Sequence, residues 1–406
     1  MPKVNHEILK WARTTAGLDE DQAAKKLGMK DTKKGSAVEK LAALETGDIS
    51  PTRAQLVKMS KHYRRPLLTF YLSDKPRIGN RGQDYRTLPE AVEITQEALV
   101  DVVIRDIRAR QALVRNVLED EDEAAKLPFI SSLKMSDGVN TAITSLKKHL
   151  KWKLNDYRNQ PDIDKAFAFL RGKAEEAGVF VLLIDNLGSY HTRIEVEAFR
   201  GFALADDVAP FVAINANDTK GAWCFTLLHE LVHIWLGATG VSGNSGNYGE
   251  QEIEKFCNDV ASEFLVPMQE IQQLEINNKT DFQTAKELIK QFALRCKVSN
   301  AMVAYKLCRM NFITYDRFKE FKAAFRADYL KWKETQKAKA KEKEGGPSYY
   351  VTKKHRVGNG LINLVARMMQ GGAITTTKAG RVLGVRPQNV PGVIENSRPQ
   401  VLQNFV

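Results

Sequence analysis

Two histidines lie four residues apart in the apolar stretch FTLLHELVHIWLG, residues 225–237. Residues at positions i and i+4 share one face of a helix, so His229 and His233 can bind one metal ion through their imidazole nitrogens. Glu230 lies at the edge of that face, where it can take a proton from water that the metal activates. The stretch therefore predicts a zinc site with the H-E-x-x-H spacing of zinc peptidases.

The alternative is a chance H-E-x-x-H pattern in a buried helix. The residues around the motif are apolar, which indicates that the helix is buried. A buried helix seldom carries two histidines and a glutamate unless something offsets the cost of burying them. A bound zinc ion would do so, and this favours the metal site.

A catalytic zinc needs a third protein ligand and an open fourth position. Glu254 is the preferred ligand, because 20 residues after His233 leave room for a loop and a returning helix. Asn258 follows one turn later and can hydrogen-bond His233 or a neighbouring ligand. Glu263 is the second choice. The following helix, which contains QEIEKFCNDVASEFLVP, offers four acidic candidates in all: Glu250, Glu252, Glu254 and Glu263.

Cys257 is interpreted as a packing residue on a different face from Glu254, since a thiolate ligand would indicate a closed structural site. The chain has four cysteines in 406 residues and no C-x-x-C pair. This usage predicts reduced thiols and a cytoplasmic protein. The sequence has no apolar run of membrane-spanning length and no apolar signal segment at its start, so it predicts no membrane partner.

The sequence predicts an α+β protein that is mostly helical. Strand-like patterns occur only in GVFVLLIDN, IEVEAFRGFALA and APFVAINAN, and they precede the zinc helix. Five segments are predicted: a helical domain (1–75), a helical connector (76–174), a domain with a short mixed sheet (175–315), a basic helix or linker (316–346) and a small C-terminal domain (347–406). The last segment contains strand-like SYYVT, a helix near GLINLVARMM, and a helix and turn at TTKAGRVLGV.

A longer pattern surrounds the zinc motif. It begins GFALADDVAPFVAINANDTKGAWCFTLLHELVHIWLG and continues with IEKFCNDVASEFLVP. Over roughly residues 175–315 this pattern resembles the ImmA/IrrE family of metallopeptidases. The resemblance implies a minimal zincin fold, with His229, His233 and Glu254 as zinc ligands and Glu230 as the general base. Known members cleave repressor-type regulatory proteins, so a protein of that kind is the implied substrate.

The first 75 residues are similar to an XRE-type helix-turn-helix domain. The similarity is carried by EDQAAKKLG and by LAALETGDISPTRAQLVKMSKHYRRPLLTFYL, with Ala24 and Gly28 where the turn needs a small residue and a glycine. Such domains are commonly fused to ImmA/IrrE domains in bacteria and phages. Some fused proteins are predicted antitoxins encoded beside toxins such as PIN-domain nucleases.

One departure weakens the similarity to a helix-turn-helix. KDTKKGS is inserted before the candidate recognition helix SAVEKLAALE, so that 17 residues separate Gly28 from Glu45. The candidate DNA contacts are the two residues of that helix, Ser36 and Lys40, and the inserted Lys33 and Lys34. The alternative is a helical domain that docks a partner protein or forms a homodimer.

The net charge of +12 and the pI of about 9.3 fit double-stranded DNA or an acidic protein as a partner. Two functions follow from these patterns. The first is a zinc endopeptidase that cuts a regulatory protein and is targeted by its helix-turn-helix and C-terminal domains. The second is an antitoxin or transcriptional regulator that binds a toxin and uses the zincin fold mainly as a scaffold. Tyr190, His191 and Tyr248 are candidates for stabilising a transition state, and the sequence does not choose among them.

Overall fold

The structure is a computed structural model, and it describes residues 4–32, 35–76, 94–188, 192–238, 240–241, 248–341 and 348–397. These residues divide into two compact units. The first unit contains the described residues up to 76, those from 94 to 106 and those between 186 and 198. The second unit contains residues 107–185 and the described residues from 199 onward.

The N-terminal part of the first unit is built from short capped helices. Asp19, Ser36 and Thr52 each accept a hydrogen bond from a backbone N–H in the first turn of the helix that they begin. Buried Leu9 and Leu41 belong to the core between these helices. The elements are α1 (His6–Thr14), α2 (Glu20–Leu27), α3 (Ala37–Thr46), α4 (Arg53–Tyr63) and a 3-10 helix (Leu67–Tyr71).

A charged pair lies within this helical core. Arg13 of α1 and Glu45 of α3 are 5% and 7% exposed. The Arg13 guanidinium donates from Nε to Oε1 of Glu45 at 2.7 Å and from Nη2 to Oε2 at 2.9 Å. It also donates to the carbonyl of Leu18, so the pair ties α1 to α3 and to the loop that precedes α2.

The second unit contains the sheet and most of the helices. Its first helix, α5 (Ile94–Asp120), begins in the first unit and contributes residues from 107 onward to the second. The elements that follow, in chain order, are α6 (Gly138–His149), α7 (Leu154–Arg158), α8 (Ile163–Glu176), β1 (Phe180–Ile184), β2 (Gly201–Leu204), β3 (Phe211–Asn215), α9 (Lys220–Trp235), β4 (Gly240–Val241), α10 (Tyr248–Leu265), α11 (Met268–Gln272), α12 (Phe282–Cys296), α13 (Asn300–Arg309), α14 (Tyr315–Lys341), α15 (Tyr349–Val357), α16 (Asn359–Gln370), α17 (Thr376–Leu383) and α18 (Val390–Glu395).

The sheet has the strand order β1-β3-β2-β4. Strands β1 and β3 are parallel, with Phe180 opposite Phe211, and β2 is antiparallel to β3 and to the two-residue β4. Every residue of β2 and β3 is buried, which explains why these strands read as continuous apolar runs rather than as alternating patterns. The prediction of a mostly helical α+β chain with a short mixed sheet is confirmed.

The C-terminal residues form four helices, and one prediction made for them is wrong. The sequence SYYVT was predicted to be strand-like, but it begins α15, because Ser348 accepts a hydrogen bond from the N–H of Val351 and caps the helix. The predicted helix near GLINLVARMM is α16, and TTKAGRVLGV forms α17 followed by a turn at Gly384. None of the helices in the described ranges combines the length and apolar character needed to cross a membrane.

Candidate metal centre

The two motif histidines lie one turn apart on α9, with their rings turned toward each other. His229 is 0% exposed and His233 is 1% exposed. The Nε2 atoms of the two rings are 3.1 Å apart, and the ring centroids are 4.9 Å apart. The helical spacing in the sequence thus becomes a pair of converging imidazole nitrogens in the structure.

Glu254 reaches the same point from α10, which packs along α9. Its Oε2 lies 3.2 Å from Nε2 of His229, and its Oε1 lies 2.9 Å from Nε2 of His233. Glu254 is 5% exposed. Among the four acidic candidates on this helix, the structure therefore brings to the histidines the one that was preferred.

The chemistry of this trio fits a metal ion. Neither carboxylate oxygen of Glu254 makes a well-oriented hydrogen bond to a described residue, although both lie within ion-pair distance of a histidine nitrogen. Ligands about 2.0–2.2 Å from a tetrahedral zinc stand about 3.3–3.6 Å from one another. The observed separations of 2.9–3.2 Å are slightly shorter than that distance. Two imidazoles and one carboxylate are also a known protein ligand set of catalytic zinc.

Asn258 orients one of the histidines. Its Oδ1 lies 3.0 Å from Nδ1 of His229. An amide oxygen can only accept, so this contact places the imidazole proton on Nδ1 and leaves the lone pair of Nε2 facing Glu254 and His233. The sequence predicted that Asn258 would hold His233 or a neighbouring ligand, and the structure places it on His229.

Protonation couples the two helices when no cation lies between them. Burial disfavours the charged imidazole of His233, but Cys257 and Glu254 outweigh it and raise the pKa of His233 well above its ordinary value. Burial would raise the pKa of Glu254, but the two histidines lower it instead. In the absence of a metal ion, these opposite shifts favour an ion pair between His233 and Glu254.

Glu230 is completely buried and lies against strand β2. A Cβ atom at Gly201 would stand 2.7 Å from Oε1 of Glu230 and 2.6 Å from Cγ2 of Thr226. Glycine at this strand position therefore leaves the space that the carboxylate occupies. The sequence reasoning missed Gly201, although a glycine inside the apolar strand pattern RGFALA is a signal of close approach.

Cys257 was interpreted as a packing residue on a different face from Glu254. It does lie buried in the hydrophobic core, but it also lies beside the two histidines, so the assignment to a different face is wrong. One nitrogen of each motif histidine and the Sγ of Cys257 all lie within 4.8 Å of one another. Cys257 is three residues after Glu254, and residues at i and i+3 are neighbours on a helix surface, so the two side chains do not lie on different faces. Burial raises the pKa of the Cys257 thiol, while contact with His233 lowers it.

The other acidic candidates lie elsewhere. Glu263 pairs with Lys306 at 2.5 Å and accepts from the N–H of Met268, so it is committed to structure. Glu252 is exposed on α10. The side chains of Glu250 and Tyr248 lie outside the described part of the chain, as do Tyr190 and His191.

Two of the four candidate DNA contacts in the N-terminal domain, Ser36 and Lys40, make hydrogen bonds within the chain. Ser36 caps α3, and its hydroxyl accepts from the N–H of Glu39. Lys40 donates from Nζ to the carbonyl of Lys30 at 2.8 Å and to the hydroxyl of Thr32 at 2.7 Å. Lys33 and Lys34 lie outside the described residues. The structure thus shows the first two residues holding the segment between α2 and α3.

Comparison with protein families gives a match that covers this centre. Residues 174–308 match the family of the IrrE N-terminal-like domain, peptidase M78. The match spans about a third of the chain and includes the sheet, α9 and α10. It supports the ImmA/IrrE resemblance of the sequence and a metallopeptidase-like domain. Neither curated proteins nor solved structures gave a match.

Proposed function

We propose that this protein is a zinc-dependent endopeptidase that cuts a regulatory protein. The observation that carries the proposal is the convergence of His229, His233 and Glu254 from two packed helices, with Glu230 buried beside them. The match of residues 174–308 to a peptidase family supports the same reading.

Each residue of the centre has its own proposed role. His229, His233 and Glu254 would hold the zinc ion, and Asn258 would keep His229 in the tautomer that offers Nε2. A bound zinc ion acts as a Lewis acid and makes water a nucleophile at neutral pH. Glu230 would accept the proton of the water and donate it to the leaving amine. The glycine at position 201 leaves room for the Glu230 carboxylate.

The N-terminal domain is proposed to target the enzyme through DNA. Its short helices α2 and α3 pack together, and the chain as a whole is strongly basic. However, residues 28–36 separate the two helices, which is longer than the three or four residues of a tight helix-turn-helix. The domain therefore supports general DNA contact more strongly than base reading by α3.

A second candidate function rests on the burial of the centre. His229, Glu230, His233 and Glu254 are all 5% exposed or less. Ligands buried this deeply would also suit a closed structural site in a binding protein. In this reading the protein is an antitoxin or transcriptional regulator that binds a toxin, and zinc only stabilises its fold.

A comparison of wild type with Glu230→Gln in cells tests the enzyme directly. We expect the variant to keep zinc, because Glu230 is not a ligand, and to lose about 10²–10⁴-fold in turnover, as for a missing general base. New protein N-termini across the proteome report cleavage, and proteins that co-purify with the variant report a trapped substrate. Glu252→Gln is the matched control, since Glu252 is exposed on the helix that carries Glu254.

The two functions give different outcomes. A protein cut by wild type and by Glu252→Gln, but trapped uncut by Glu230→Gln, would establish the peptidase and name its substrate. Identical N-termini in all three strains, with one partner bound equally to each form, would favour the antitoxin or regulator.

A further inference from the structure

The helix and turn near the C-terminus have the geometry of a compact helix-turn-helix. Helix α17 begins after Thr375, whose side chain caps it, and ends at Gly384 with φ of 65° and ψ of 40°. The next helical segment begins at Pro387 as a 3-10 helix and runs directly into α18. Residues 384–386 thus form a three-residue turn that contains glycine, as in helix-turn-helix motifs.

The two helices of this motif approach closely at one point. A Cβ atom at Gly380 would lie 2.8 Å from the carbonyl oxygen of Val385 and 3.3 Å from the nitrogen of Pro387. Only glycine leaves that space, so the close crossing of α17 over the following segment requires glycine at position 380. The N–H of Val385 also donates to the carbonyl of Gly380 at 2.8 Å.

A third helix supports the pair. Helix α16 packs on both α17 and α18. The buried residues that the three helices share are apolar: Leu361, Ile362, Val365, Met368, Ile374, Ala379, Val382, Leu383, Val390 and Val393. Three helices around one apolar core are the minimal framework in which such a motif is rigid.

The outward surface of the motif is basic and polar. Arg381, Arg386 and Gln388 are exposed. Neither these two arginines nor Lys378 pairs with a carboxylate in the described part of the chain, and Arg110 of α5 adds another guanidinium next to Gly384. Between residues 348 and 397 the sequence has seven lysines and arginines and one acidic residue, Glu395.

We infer that residues 359–396 form a second DNA-binding element, in which the segment 387–395 enters the major groove of double-stranded DNA. Arg381 and Arg386 then face phosphates on either side of the groove. Gln388 and Asn389 face the base edges, where an amide side chain can bind adenine through two hydrogen bonds. The short turn distinguishes this element from the helix pair α2 and α3, whose connection is longer.

This element is fixed to the same compact unit as the metal centre. Helix α15 packs on β1, and Arg356 of α15 pairs with Asp185 just after β1. Glu175 of α8 accepts from the N–H of Gly360 at 2.9 Å, at the start of α16. DNA bound by the C-terminal element would therefore hold the domain that carries the metal site, whatever the N-terminal domain binds.

The test uses the full chain and a random pool of 40-base-pair duplexes, from which bound sequences are selected. Binding of the selected duplex is then compared for wild type, Arg386→Ala/Gln388→Ala and the matched control Arg295→Ala/Gln283→Ala. The control removes the same two side-chain types from exposed positions on α12, outside the proposed element. Both variants change exposed residues, so their melting midpoints should equal that of wild type.

We expect the Arg386→Ala/Gln388→Ala variant to bind the selected duplex roughly tenfold to a hundredfold more weakly. Its plot of log affinity against log salt should be about one unit shallower, because one phosphate contact is lost. The control variant should match wild type in both respects. The inference would be overturned if the full chain selects no duplex, or if both variants bind the selected duplex like wild type. Loss of a co-purifying protein with DNA binding intact would likewise assign the surface to a protein partner.

Discussion

The N-terminal helical domain and the α9–α10 pair both bury charged or polar side chains, and they satisfy them in opposite ways. In the N-terminal domain, the donors of Arg13 match the acceptors of Glu45 at 2.7 and 2.9 Å. In the metal centre, two imidazole nitrogens and a carboxylate, all able to donate lone pairs, point at one another.

The difference separates a cluster that satisfies itself from one that we propose binds a metal ion. The two matched hydrogen bonds satisfy the pair within the chain, and hydrogen bonding to Glu45 raises the pKa of Arg13. The two histidines and Glu254 instead bring nitrogen and oxygen ligand atoms around one point, which suits a bound metal cation. Burial in both regions is similar, so the kind of atom that converges, rather than burial itself, indicates a site that binds something.

Loss of a ligand is expected to have the largest effect. Zinc binding to protein sites is worth about 10–16 kcal/mol in total, so removing one of three ligands should cost about 4 kcal/mol, or about a thousandfold in affinity. We therefore expect Glu254→Gln to leave the purified protein nearly free of zinc, as measured by atomic emission and by competition with a chelator. The exposed Glu252→Gln variant should retain zinc. Near-stoichiometric zinc in Glu254→Gln would remove Glu254 from the ligand set.

Breaking the ion pair between Arg13 and Glu45 is expected to have the next largest effect. Arg13→Met keeps most of the apolar bulk but leaves the Glu45 carboxylate buried without its partner. We expect a loss of about 3 kcal/mol in the stability of the N-terminal domain, since breaking a buried ion pair costs about 3–5 kcal/mol. Amide hydrogen exchange in α1 and α3 measures this change locally, and zinc content should be unaffected.

The double replacement Arg13→Met/Glu45→Leu is the control for that prediction. Replacing both members of a buried pair by apolar residues is often neutral, so exchange in α1 and α3 should return close to the wild-type rate. If the double variant is as unstable as the single one, then packing rather than the unpaired charge accounts for the loss. No such rescue by apolar replacement is expected at the metal centre.

The sequence predicted the parts of the centre that depend on helical periodicity. His229 and His233 follow from spacing alone, and Glu254 follows from the length of the loop and the return of the next helix. The partner of Asn258 depends on how α10 packs against α9, which no local pattern specifies, so the sequence left it open. Cys257 was misplaced because its neighbour at i−3 was taken to lie on another face.

In the fold as well, local patterns predicted some features, whereas features that depend on packing were missed. The mixed sheet and the helices were predictable because buried strands read as apolar runs and helices are marked by caps and glycines. SYYVT misled because aromatic and β-branched residues favour strands, whereas a serine cap and packing on β1 make the segment helical. The requirement for glycine at positions 201 and 380 is visible only in the structure, because other atoms of the chain approach each of them closely.

Asn258 offers a smaller change in the same centre. Asn258→Ala removes the acceptor for Nδ1 of His229, so the ring is free to rotate or change tautomer. Loss of such an orienting partner costs about 10–100-fold in metal affinity. Chelator competition should therefore place this variant between wild type and Glu254→Gln. An affinity equal to that of wild type would show that packing alone holds the imidazole.

Cys257 gives the smallest expected effect, and it tests which side chain of α10 completes the ligand set. The oxygens of Glu254 lie at 2.9 and 3.2 Å from the histidine nitrogens, whereas the sulfur is placed only within 4.8 Å of them. We therefore expect Cys257→Ala to lose less than about tenfold in zinc affinity, less than the loss for a missing orienting residue. The cobalt-substituted protein should show no thiolate charge-transfer band in the near ultraviolet. A strong band in wild type that disappears in Cys257→Ala, with zinc loss as large as in Glu254→Gln, would make the thiolate a ligand and favour a closed structural site over an open catalytic one.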